Sequence, residues 1–468
     1  MQSMRIPRLD VLASLLRSVV VVAPAVVVAA CTAETGGEEP TGQISSAVSL
    51  NTVTRESFDN QGRQGNGPSI TPSISPNQRF VVFASTATIW ANGVNTGGFS
   101  QIYSKDRQIG SITLVSLRNG AAGNGNSFTP SVADDGSIAF LTNATNLGAT
   151  APVAKVLVRK PNGTFVEADV TPTGGAPNGG ANNPQIAGNG GAVIFQSNAS
   201  NLVASDTNGT TDVFVASLST TPPAVRRISN TQGGAQTNGP SIEPTIDYAG
   251  RFTAFASDAT NIGFNQPPGI RQVWSVDLQS NIVRPVSFTS TGQLGAFGTG
   301  NSDLPQISGD GNTVSFHSFA TNFDVPNPHG VPGDIYAVSQ LGIAHQPVRV
   351  SISSSGDPNN GSTFQSAISF NGSAVAFAST STNLAPNATD GLAHVFVRDR
   401  NAANTIVADR GTNGVAGNGG TVIISTLKFS GNPSVPAFSF LVFDSNASNL
   451  VFGDTNGVTD VFSASLSP

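Results

Sequence analysis

Cysteine is almost absent from this 468-residue chain: Cys31 is the only one, so no disulfide within the chain can staple it. Charge is scarce as well. Asp, Glu, Lys and Arg make up 11% of the residues, less than half the usual quarter of a soluble protein. Lys occurs four times, as Lys105, Lys155, Lys160 and Lys428, too scattered for a basic stripe that would track phosphates, and nucleic acid is not an expected partner. His317, His329, His345 and His394 stand apart, without the paired spacing that zinc chemistry uses, and no Gly-x-Ser-x-Gly elbow occurs. Helical periodicity is missing throughout. The apolar stretch Val19 to Ala30 is 12 residues long and interrupted by Pro24, short of the roughly 20 that a bilayer span needs.

What is there is a repeat. Phe83, Phe140, Phe195, Phe255, Phe316, Phe377 and Phe443 close the same short phrase at intervals of 57, 55, 60, 61, 61 and 66 residues. The phrase reads as a strand, a turn of Gly, Asn and Asp, and a β-branched run ending in Phe, as in Pro184 to Phe195, Pro244 to Phe255 and Pro305 to Phe316. Such turn residues supply the positive φ of a tight hairpin. Six residues after six of the seven Phe comes Asn146, Asn201, Asn261, Asn322, Asn383 or Asn449, whereas the first unit has Ile89. A third strand follows in every unit, for example at Val213-Phe214 and Val461-Phe462, and a fourth in six, for example Val225 to Ser229 and Val348 to Ser351. The seventh unit lacks one, which would leave an unpaired edge. Val53 to Ser57 aligns with Val225 to Ser229 and is the expected replacement. Four-stranded units with a swapped closing strand predict an all-β propeller of four-stranded antiparallel blades, seven in number with six as the alternative, closed by the N-terminal strand completing the last blade.

At the level of phrases, Pro-x-Ile-Ser-x-Asp-Gly before a β-branched run and Phe, then Asp-Val-Phe-Val, then Arg-Val-Ser, is similar to the TolB-like β-propeller repeat over roughly Val53 to Pro468. The resemblance implies a propeller fold and, through the family, an envelope-assembly role that docks to another lipoprotein. TolB itself carries an α/β domain ahead of six blades, and here the repeats start almost at once.

Arg5 and Arg8 precede the apolar stretch, which ends in Val28-Ala29-Ala30-Cys31. This resembles a bacterial lipoprotein signal peptide, with Cys31 as the lipidation site and new N-terminus. By resemblance to enterobacterial lipoproteins, Thr32 after the Cys points to the outer membrane. The expected organisation is therefore a signal peptide at 1–30, a flexible tether at 31–48 rich in Thr, Gly and Glu, and the propeller at 49–468. Without residues 1–30 the chain has 19 basic and 27 acidic side chains, a net charge of −8. Membrane contact is expected through the lipid anchor alone.

Strand direction decides which face carries function. In a four-stranded antiparallel blade, the connections from strand two to three and from strand four to the next blade open on one side. Those are the long ones: Leu202 to Thr211, Gly263 to Arg271 and Phe323 to Gly333 within blades; Asn230 to Gly239, Phe288 to Ser302 and Ser353 to Gly361 between them. Function on a rigid β scaffold concentrates in long loops. Their Asn, Gly, Ser, Thr and Asp, with isolated Trp90, Phe264 and Phe297, suit a protein or glycan partner; solvated turns with no ligand are the competing account. Asp206-Thr-Asn208-Gly-Thr-Thr-Asp212 and Asp454-Thr-Asn456-Gly-Val-Thr-Asp460 place oxygen ligands around a Gly and are candidate calcium loops, although an Asn-Gly turn braced by Asx bonds explains them equally. No other cofactor is expected. For catalysis, only Glu56, Glu167 and Glu243 lie outside the tether among the mature chain's glutamates, so an enzyme would need Asp residues converging from different blades. The reading is a monomeric binding or interaction module at the bacterial envelope, with a hydrolase or lyase using loop carboxylates, or an assembly factor, as alternatives.

Overall fold

The computed structural model describes residues 48–148, 153–263, 266–289, 296–324, 333–340, 346–419, 428–429 and 440–467. Cys31 with its lipobox, the tether up to residue 47, Phe264, His329 and His345 lie outside the described residues. Seven four-stranded antiparallel sheets form the blades. Blade 3 shows the pattern: Ala181–Ile186, Ala192–Ser197, Asp212–Ser217 and Ala224–Arg227, in consecutive order from inside to outside. Blades 1, 2, 4, 5 and 6 repeat it, starting at Ser69, Ser127, Ser241, Ser302 and Thr363. Blade 7 is built from Lys428–Phe429, Phe440–Ser445 and Asp460–Ser467, and its fourth strand is Ser49–Arg55 from the N-terminal side. Val53 pairs with Ala464 and Arg55 with Phe462, so the swapped closing strand is present, starting four residues earlier than the sequence alignment placed it. None of the described helices is long and apolar enough to cross a membrane.

The seven recurrent Phe are all buried, and each faces a strand-three residue across the ladder: Tyr103, Leu157, Phe214, Trp274, Tyr336, Phe396 and Phe462. In five blades the pair is a stacked aromatic couple with centroids 5.7–6.2 Å apart. These pairs are wedges between blades. Phe195 and Phe214 pack on Leu141, Val156 and Val158 of blade 2, and Phe255 and Trp274 on Ile194, Val213 and Val215 of blade 3. Phe83 and Tyr103 pack on Val442 and Val461 of blade 7, which closes the ring. Burial of each large side chain contributes on the order of 2–3 kcal/mol, and the repetition makes inter-blade packing the main source of stability.

One feature of the inner strands was not apparent from the sequence. Thr71, Thr129, Asn183, Glu243 and Leu304 adopt φ between 48° and 56°, each just before a Pro, and the ladder register breaks there. The Pro has no N–H to give to the ladder, so a bulge at this point costs no hydrogen bond.

Inside the ring, the ends of the inner strands line a cavity of about 100 Å³ that includes Ser73, Gln185, Ile246, Gln306 and Ile368. On the short-turn side, backbone bonds run from blade to blade: Asp134 N to Gly188 O, Asn189 N to Tyr248 O, Tyr248 N to Gly309 O and Asp310 N to Phe370 O, at 2.9–3.0 Å. Tyr248 of blade 4 reaches across to donate to Asp134 Oδ2 of blade 2 at 3.0 Å and meets Phe370 of blade 6 edge-on. Glycine is needed beneath it, since a Cβ on Gly188 would lie 2.3 Å from the Tyr248 ring.

Candidate functional site

The long-loop face is braced in every blade. Asn261 Oδ1 accepts from Asn238 N at 2.9 Å while its Nδ2 donates to Gln236 O at 3.1 Å, tying the loop that enters strand one to the end of strand two. Asn146, Asn201, Asn322, Asn383 and Asn449 make the same two bonds. The first unit, with Ile89 in that slot, uses Trp90 instead, whose indole donates to Arg63 O at 3.3 Å. Both ends of these amides are thus spent on backbone, so the six Asn serve as clamps holding a stiff platform.

Below the platform lies a second recurrent station. The first residue of strand three, Asp212 in blade 3, accepts from Ser229 Oγ at 2.6 Å, and Ser229 Oγ in turn accepts from Val213 N at 3.1 Å. Asp334 with Ser351, Asp460 with Ser57, Gln101 with Ser116 and Gln272 with Ser287 repeat the arrangement. In blades 3, 5 and 7 an Arg from strand four lies between two carboxylates. Arg227 is 3.8 Å from Asp206 and 3.8 Å from Asp212; Arg349 bridges Asp324 and Asp334; Arg55 lies 3.6 Å from Asp454 and 3.8 Å from Asp460. Asn208 and Asn456 donate to Asp212 and Asp460 respectively and their Oδ1 atoms accept from Thr210 N and Val458 N. The residues singled out as calcium ligands are therefore gathered, with a guanidinium beside each carboxylate pair, and no group of three or more His, Cys, Asp or Glu suited to a metal occurs among the described residues. Burial raises Asp212, Asp334, Asp460 and Asp454 above the usual carboxylate range, against the opposing pull of the Arg.

Two blades change the chemistry of this station. His394 in blade 6 is held by Asp409 Oδ2 at 3.0 Å on Nδ1 and Asp390 Oδ1 at 2.9 Å on Nε2; burial lowers its pKa, but the two carboxylates outweigh burial and bring it to about 9. In blade 2 the signs are reversed. Lys155 takes the place of Asp212, Glu167 that of Arg227 and Asp169 that of Ser229, with Asp169 Oδ1 accepting from Val156 N at 2.9 Å. Burial and the nearby Glu167 carboxylate push Asp169 up to about 8, and burial lowers Lys155.

Carboxylates of neighbouring blades meet a histidine at the loop end of the inner strands. Asp303 of blade 5 lies 2.8 Å from His317 Nδ1, and Glu243 of blade 4 accepts from Leu304 N at 2.7 Å. Burial raises the Glu243 pKa, and the Asp303 charge adds to it. Arg271 close by is committed to Asp258, with bonds of 2.9 and 3.0 Å. None of these residues lines the central cavity.

The apolar loop residues fall differently from expectation. Trp90 and Phe297 belong to the core: Trp90 packs edge-on against Phe83 and Tyr103, and Phe297 against Trp274 and Phe288. Among the described residues, the exposed large apolar side chains on the long-loop face are Phe319 at 46%, Val415 at 55% and Phe452 at 104% relative exposure. A signal was available: Phe319 stands where the other units have Thr86, Asn143, Asn198, Asp258, Thr380 and Asn446, so an aromatic replaces a polar residue at a surface slot.

No family model matches the chain, and no curated protein matches it. Solved structures do. An oligogalacturonate lyase in complex with manganese superposes over 90% of this chain and 97% of its own, with a TM-score of 0.52 and 10% identity. The oligogalacturonate lyase of Vibrio parahaemolyticus covers 90% and 98%, with a TM-score of 0.50 and 11% identity. TolB from Acinetobacter baumannii aligns over 72% of this chain and 62% of its own at a TM-score of 0.37 and 14% identity. At these identities the likeness is one of fold: a β-propeller.

Proposed function

We propose that this chain is a lipid-anchored propeller of the bacterial envelope that binds a protein or glycan through its long-loop face. The observation that carries the binding role is the exposure of Phe319, Val415 and Phe452 on a face whose loops are clamped by Asn pairs. Aromatic and aliphatic anchors on a preorganised surface lose little entropy on binding. The anchoring role rests on the lipobox at Val28 to Cys31 and on the shortness of the apolar stretch before it. The Arg beside each carboxylate pair supplies the positive charge that calcium would, so we assign the Asp206 and Asp454 loops to Arg rather than to metal.

A photo-crosslinking residue at Phe319 or Phe452 should give a discrete adduct in the native organism, while one at Gln108 on the opposite face should not. Equal adducts from both faces would remove the assignment. Labelled palmitate should enter the wild-type protein and not Cys31→Ser; uptake by the variant would end the lipoprotein reading. A catalytic reading has one observation in its favour, the approach of Glu243 and Asp303 to His317 across two blades. A raised Glu243 would act as general acid. Screening against acidic and neutral oligosaccharides decides it: turnover abolished by Glu243→Gln supports an enzyme, and no turnover by wild type leaves the binding module.

A further inference from the structure

The place where the chain enters the ring sets the orientation of an anchored propeller. Its entering strand, Ser49–Arg55, is the fourth strand of blade 7, and fourth strands run from the short-turn face to the long-loop face. Val48, the first described residue, is buried in the core between blades 6 and 7. Its N–H donates to Asp399 Oδ2 at 3.2 Å and its carbonyl accepts from Asn404 Nδ2 at 3.1 Å. Asp399 ends strand three of blade 6 and Asn404 begins strand four, so the entry point is pinned to a short turn.

Sixteen residues separate Cys31 from Val48. A flexible chain of that length has a root-mean-square span of about 23 Å. A six-residue strand adds roughly 20 Å between the two faces. We propose that the short-turn face is the membrane-proximal side of the ring and that the long-loop face, with Phe319, Val415 and Phe452, points away from the anchoring bilayer toward a partner outside that membrane. This rests on the lipid-anchor reading. Among the described residues, the exposed large apolar side chains on the short-turn side, Ile109 and Ile282, belong to blades 1 and 4, which suits that side to standing off the bilayer rather than inserting.

Cys31 is the only cysteine, and a lipidated Cys31 leaves no thiol, so an introduced cysteine is a unique labelling site. Gln108→Cys and Gln279→Cys place a fluorophore on exposed short-turn positions, Ala204→Cys and Thr455→Cys on exposed loop positions. In vesicles of phosphatidylethanolamine and phosphatidylglycerol carrying headgroup nitroxides, the full lipidated protein should show at least two-fold stronger quenching at the first pair. Equal or reversed quenching in a protein that has incorporated palmitate overturns the orientation alone. A wild-type chain that takes up no palmitate removes the anchor and the orientation together.

Discussion

Blades 2 and 3 hold the same station with opposite charges. Blade 3 places Asp212, Arg227 and Ser229 where blade 2 places Lys155, Glu167 and Asp169. The common element is backbone: the N–H of the second strand-three residue must meet an oxygen from the residue two past the end of strand four, and Ser229 Oγ and Asp169 Oδ1 both supply one. The geometry therefore dictates an acceptor there, while the sign of the surrounding charges is free provided they compensate. They compensate differently. Arg227 Nη1 stands 3.8 Å from each of two carboxylates and Lys155 Nζ 4.0 Å from Glu167; Arg227 Nη1 and Asp169 Oδ2 alike have no hydrogen-bond partner, and what sets blade 2 apart is that burial and the Glu167 charge push Asp169 up to about 8.

The largest effects calibrate the comparison. Phe140→Ala in blade 2 and Phe195→Ala in blade 3 should each cost about 3–5 kcal/mol in denaturant unfolding, because the wedge is common to both; a gap of several kcal/mol between them would mean the blades differ in more than their charged stations. Next, Arg227→Leu leaves Asp206 and Asp212 buried together without a cation and should cost about 3 kcal/mol, the lower end for a broken buried pair. Lys155→Met should cost less than half of that, since Asp169 is already near its protonated state; an equal loss would show that the lysine carries the full charge balance.

The pH dependence separates the stations further. Asp169 is protonated in the folded chain up to about pH 8 and ionised in the unfolded chain above about 3.9. The folded state then binds more protons across that interval, and stability falls as pH rises from about 4 to 8. Asp169→Asn should flatten this part of the melting-temperature profile. His394, at about 9 folded and about 6.5 unfolded, gives stability that is complete below 6.5 and lost as pH rises through 9, and His394→Gln should remove that slope. Ser229→Ala in blade 3 should push Asp212 further up, because it removes the hydroxyl bond that opposes burial there.

Smaller again is Asn261→Ala, which frees two backbone groups at a partly solvated loop and should cost about 1–2 kcal/mol; a loss rivalling the Phe variants would make the clamps part of the core. The smallest expected effect is none: millimolar calcium should leave the melting temperature of wild type unchanged, whereas a rise of several degrees would return the Asp206 and Asp454 loops to metal binding.

The parts of the molecule legible in the sequence are those that repeat. Phe recurring about every 60 residues, Gly-Asp and Gly-Asn turns, and a seventh unit short of one strand were enough for the ring and its closure, because each follows from local strand chemistry. The positive φ at Thr71, Thr129, Asn183, Glu243 and Leu304 was not legible, since four different residue types fill these five equivalent positions and only the following Pro is constant. Trp90 misled for a related reason: it lies in a loop by sequence but substitutes for an Asn clamp and fills the core between blades 7 and 1. Tyr248 depends on which blades face each other across the axis, and the approach of Glu243 to the Asp303–His317 pair of blade 5 depends on how adjacent blades pack, which no single repeat encodes.

The pairing of Ser49–Arg55 with Asp460–Ser467 also imposes a schedule on biogenesis. The segment that leaves the ribosome early in synthesis waits for a ladder partner made some 400 residues later, so blade 7 cannot close until that partner has emerged. Until that strand arrives the fourth strand of blade 7 has no partner, and export or chaperone binding has that whole interval in which to act on it.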